Sequence, residues 1–179
     1  MATNLQFINQ TKATSVSSLT MSNCFSSAYD VYYINVSLDL EGAGMFEIQF
    51  LDTSDSVITG DNYDVASLDM KDNATYNQYK ATNQIPGVGL RGIGSYLNDG
   101  DGYGFIGYIH NPFASDKFTF MHAQSASTNA FTSGFEGGKA IGVHKQNVSV
   151  FGFKIKDSGG NTFNYIDCSI YGVKWWQVV

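Results

Sequence analysis

Asp30–Leu40 reads DVYYINVSLDL. Tyr32, Ile34, Val36, Leu38 and Leu40 share one parity, and Tyr33, Asn35, Ser37 and Asp39 share the other. Side chains of an extended chain alternate between two faces, so this stretch predicts a strand with one buried side. EGAG at 41–44 follows, then MFEIQFLD at 45–52 with Phe46, Ile48 and Phe50 on one parity. The short glycine-rich connection predicts that the two strands form a hairpin.

The same period recurs along the chain. Strands are predicted at 61–70, at 102–112 with Tyr103, Phe105 and Ile109 together, and at 117–124 with Phe118 and Phe120 on one face. Another is predicted at 148–157, burying Phe151, Phe153 and Ile155. DSGGN at 157–161 supplies residues that tolerate positive φ, and a final strand runs from Thr162 to about Lys174. These last two predict a C-terminal hairpin. The one helical candidate is DNATYNQYKATNQ at 72–84, for one or two turns at most; SASTNAFTSGFEGGK at 125–139 reads as a long loop. The expectation is an all-β, single-domain antiparallel sandwich or jelly roll with at most one short helix.

Composition agrees. Aromatics make up 15 % and charged residues 15 % of 179 residues, with 19 Gly and 2 Pro. That is poor in helix formers and too aromatic for a disordered chain. The net charge is −6 and Arg91 is the sole arginine. Without a basic patch to neutralise phosphates, no nucleic-acid partner is expected. No apolar stretch approaches a membrane span, and the N-terminus lacks the pattern of a signal peptide, so no membrane insertion or secretion is expected. Cys24 and Cys168 read as buried thiols.

Motifs for chemistry are sparse. His110, His122 and His144 fit no zinc spacing, and no nucleophile elbow occurs. Asp99 and Asp101 in NDGDGYG (98–104) have the spacing of a calcium loop, but a distal glutamate and a third ligand are missing. Asp52 with Asp55, and Asp61 with Asp64, lie in Ser/Thr/Gly-rich sequence where carboxylates are solvated. No catalytic residue, cofactor or metal is expected, and the chain is not expected to be an enzyme.

Three segments together resemble a known group. LQFINQTKATSVSSLTMSNCFSSAYDVYYINV (5–36) contains an F-x-x-x-Y-D-x-Y opening at Phe25, Tyr29, Asp30 and Tyr32. GGKAIGVHKQNVSVFGFKIKDSGGN (137–161) follows, and SIYGVK (169–174) ends the series. This order resembles small β-sandwich virion structural proteins of tailed bacteriophages of the cyanobacterial and marine type. The resemblance implies a structural protein, assembled in the host cytoplasm and carried in the virion. It implies a capsid decoration or cement protein that contacts other virion proteins such as the major capsid protein. The alternative is a tail-fibre or receptor-binding tip that binds host surface glycans. A homotrimer is expected, since decoration proteins and fibre tips are often three-fold.

WWQVV (175–179) extends past the ending of that group. An indole is a large rigid anchor, so Trp175 or Trp176 is expected to be buried by a neighbouring chain; the alternative is that both indoles fold back onto their own sandwich. The division expected is an N-terminal arm at 1–14 with Leu5, Phe7 and Ile8 as anchors, a sandwich at 15–174, and a C-terminal arm at 175–179.

Overall fold

The computed structural model describes residues 4–42, 44, 46–60, 62–84, 88–89, 103–128 and 134–174. Twelve strands occur there: β1 Leu5–Val16, β2 Ser18–Met21, β3 Val31–Leu40, β4 Phe46–Leu51, β5 Tyr63–Lys71, β6 Tyr76–Gln84, β7 Val88–Gly89, β8 Tyr103–His110, β9 Thr119–Thr128, β10 Phe135–His144, β11 Gly152–Asp157 and β12 Phe163–Val173. No helix forms among the described residues. The strands make an eight-stranded sheet in the order β1-β12-β3-β8-β9-β10-β5-β6 and a four-stranded sheet in the order β2-β11-β4-β7.

The pairing is nested. β1 pairs β12, β2 pairs β11, β3 pairs β8 and β4 pairs β7, all antiparallel. A long hairpin folded over on itself gives this order, and it is the jelly roll: β1-β12-β3-β8 in one layer, β2-β11-β4-β7 in the other. Two hairpin insertions widen the first layer. β9–β10 follows β8, β5–β6 follows β4, and β10 pairs β5 to join them.

The nesting overturns both expected hairpins. β3 and β4 lie in different sheets, as do β11 and β12. Both flanks of β3 are occupied by β12 and β8, so the chain after Leu40 must cross to the other layer. The two crossings meet. Glu41 N–H donates to Thr162 O at 2.9 Å, and Asn161 donates to one carboxylate oxygen of Asp157 through its backbone N (2.9 Å) and its side chain (3.0 Å). Gly44 leaves room for that carboxylate, and Gly160 takes φ +84° in the second crossing.

Two other expectations are corrected. Residues 72–84 hold no helix but a turn and β6. Lys71 N–H donates to Thr75 O at 3.0 Å, and Ala74 sits at φ +61°. Tyr79 and Ala81 alternate with outward polar residues, a period-two pattern hidden by polar composition. The expected loop at 125–139 is largely strand, since β9 reaches Thr128 and β10 begins at Phe135. Pairing on both sides of β10 overrides the weak strand preference of Ser, Ala and Gly.

The core lies between the layers. Tyr32, Ile34, Val36, Leu38 and Leu40 of β3 are buried, as the alternation predicts. They meet Leu19, Met21, Ile48, Phe50, Phe153 and Ile155 of the small sheet in one cluster. Each such side chain contributes about 1.5–3 kcal/mol by leaving water. Phe151 is only half-buried, edge-on to Phe113 at 5.1 Å. β1 runs through residue 14, the expected arm boundary, as the edge strand hydrogen-bonded to β12.

Candidate interaction face

The large sheet has one face on the core and one facing out. On the outer face, strand register aligns a single row across all eight strands: Phe7, Tyr171, Tyr33, Tyr108, His122, Ile141, Ala66 and Lys80. The aromatic members touch in turn. Ring centroids are 5.7 Å apart for Phe7–Tyr171, 6.0 Å for Tyr171–Tyr33, 5.3 Å for Tyr33–Tyr108 and 5.1 Å for Tyr108–His122. Cross-strand aromatic pairs of this kind stabilise a sheet by a few tenths to about 1 kcal/mol each. Burial raises the Tyr33 pKa, and the neighbouring Tyr108 and Tyr171 add to the shift.

Exposed apolar side chains concentrate here. Alternation puts Leu5, Phe7, Tyr76, Phe120, Phe135 and Ile141 on this face, with Ile141 62 % and Phe7 52 % exposed. Scattered exposed apolar residues are ordinary, but a contiguous set on one sheet face marks an interaction surface. The face is hollowed. A groove of about 740 Å³ runs past His110, Phe120, His122 and Ile141, and hollows of about 470 and 350 Å³ flank it over Ile106, Gln124 and Lys139.

His110 and His122 meet in the groove. Nε2 of His110 lies 3.2 Å from Nδ1 of His122, and the rings stack at 24°. Such a contact needs one ring to donate and the other to accept. The His110 pKa is lowered by burial first and by His122 second. At the groove rim Asp64 and Lys145 form a 2.8 Å ion pair, and the lysine hydrogen bond holds the Asp64 carboxyl below its usual pKa.

The inner face of the widened sheet turns polar beyond the core. Ser67, Asp69, Ser125, Ser127 and Glu136 point there, and Lys71 Nζ is 3.9 Å from Glu136. Burial pushes the Tyr103 hydroxyl well up in pKa, while the Ser125 side chain opposes that shift. Among the described residues, no three or more His, Cys, Asp or Glu cluster to hold a metal.

Of the residues singled out in the sequence, Leu5 and Phe7 stand on the outer face, whereas Ile8 packs partly buried against the core beside a bulge in β1. Trp175, Trp176, Asp99 and Asp101 lie outside the described residues. Sequence reasoning missed Tyr33, Tyr108, Tyr171 and the His110–His122 pair. A signal existed: Tyr33 and Tyr171 occupy the polar parity of their strands, where a large aromatic needs an explanation. No family model matches the chain, and no curated protein matches it.

Proposed function

We propose that the chain is a structural protein of a phage virion, a capsid decoration or cement protein on the outside of the head. It acts by binding, without catalysis, and assembles as a homotrimer against other virion proteins such as the major capsid protein. The observation that carries this reading is the outer face of the large sheet, where exposed apolar side chains gather around an aromatic row. The jelly roll supports it by analogy, since viral coat proteins use this architecture; lectins do as well. The sequence resemblance to phage structural proteins points the same way.

The second reading is a receptor-binding tip for host glycans, and the groove at His110 and His122 favours it. Ring geometry weighs against stacked sugars on the row itself. Tyr33 has Tyr108 on one side and Tyr171 on the other, at 5.3 and 6.0 Å, so a sugar would have to part them. Labelling the protein on intact particles and counting copies tests the choice. Hundreds of copies over the head support decoration. A few copies at the tail overturn it in favour of the tip.

A further inference from the structure

The outer face is large enough for a stable interface. Eight strands at a spacing of ~4.8 Å span ~34 Å, and β3, β9 and β10 at ten residues each run ~33 Å. The product, about 1,100 Å², exceeds the ~800 Å² per partner of a standard protein interface. Its centre carries no charge; its charges sit at opposite ends. Alternation places Asp39 and the Lys12-bound Asp167 at the β1–β12–β3 end. It places Lys139 and Lys80 at the β10–β5–β6 end, where Asp64 is neutralised by Lys145 at 2.8 Å.

Shape selects the arrangement. Two hollowed faces pressed together would enclose a void, which a close-packed interface does not tolerate. A hollow needs a convex filler, and this chain has one. At its β1 side the same face raises Leu5 and Phe7, 42 % and 52 % exposed. Head-to-tail packing brings that side, and the acidic end beside it, to the basic end of the next copy. Such contacts use two different patches per subunit, and they close into a ring where the rotation from copy to copy completes a full turn.

We propose that the groove between His110, Phe120, His122 and Ile141 receives the β1 edge of a second copy of this chain, with Leu5 and Phe7 seated in it, so that copies join head to tail in a closed ring. This rests on the reading of the chain as a self-assembling module. Cys24 and Cys168 are buried, so an introduced surface cysteine is the accessible thiol. Phe7→Cys and Ile141→Cys proteins are made separately, checked for native circular dichroism, mixed, and treated with a short bis-maleimide. The mixture is expected to give a linked dimer that neither variant gives alone, and the double variant a ladder ending at the ring size. Dimers from Ile141→Cys alone would overturn the proposal in favour of face-to-face packing. Absence of any link in a protein that sediments as an oligomer would overturn this interface and leave self-assembly standing. A monomer would overturn both. So would a monomer whose Ile141→Cys thiol is shielded by added host surface polysaccharide, which would assign the groove to a glycan.

Discussion

Tyr29 packs its ring over Gly172, close enough that a Cβ on the glycine would stand 2.6 Å from Cγ and both Cδ atoms of the ring. This joins the F-x-x-x-Y-D-x-Y opening to the Tyr-Gly of the ending. Tyr29 also meets Tyr32 edge-on at 5.7 Å, and Phe25 meets Tyr32 at 4.8 Å. Asp30 O accepts from Asn111 N–H at 2.7 Å. The motifs that bracket the sequence thus form one packed corner over β3 and β12. Gly172→Ala must move the ring as a body, because Cγ is near the root of the side chain. It is expected to cost about 1–3 kcal/mol, seen as a lower urea midpoint at unchanged slope.

Tyr32 is fully buried and ties the same corner by its hydroxyl. The oxygen accepts from Ser26 N–H at 2.8 Å and donates to Ser26 O at 3.0 Å. Tyr32→Phe keeps the ring and strips both bonds from the Ser26 peptide. The expected loss is about 1–3 kcal/mol in chemical denaturation, without change in far-UV circular dichroism.

Burial pushes the Cys24 thiol up to about 12 and raises Cys168 further. A thiol reacts as thiolate, so both should resist a disulfide reagent at pH 8 in the native protein. Two thiols per chain are expected to react once urea unfolds it. Fast labelling of either in the native state would show that its corner opens.

His144 is wholly buried beside Tyr63, at 4.8 Å, and Phe50, at 6.1 Å. Burial lowers its pKa from 6.5, and the Gln146 side chain opposes the shift. The unfolded chain therefore binds a proton at a pH where the folded chain does not. Stability should be full above about pH 6.5 and fall as pH drops from there towards the lowered folded value. His110 shifts in the same direction and adds to the slope. His144→Leu should flatten the dependence of the thermal midpoint between pH 6.5 and 5.

The buried alternation of β3 was legible because Tyr32 to Leu40 faces a single core. Layer assignment was not. A short glycine-rich link such as 41–44 suits a hairpin as well as a crossing, and only the pairing of distant strands, β3 with β12 and β8, decides between them. β6 was hidden because it is an edge strand with little apolar surface to pattern. Leu5 and Phe7, expected as anchors of an arm, are exposed but belong to an edge strand paired with β12. The aromatic row was not legible, because Tyr171, Tyr33 and Tyr108 come from three strands far apart in sequence, and register alone aligns them.

Self-assembly through the outer face is the central claim, and sedimentation equilibrium of the purified chain tests it most directly. The expected mass is three times the 19.6 kDa of one chain, falling to one chain when Ile141→Lys places a charge in the groove while circular dichroism stays native. A wild-type protein that sediments as a monomer across the micromolar range would contradict it.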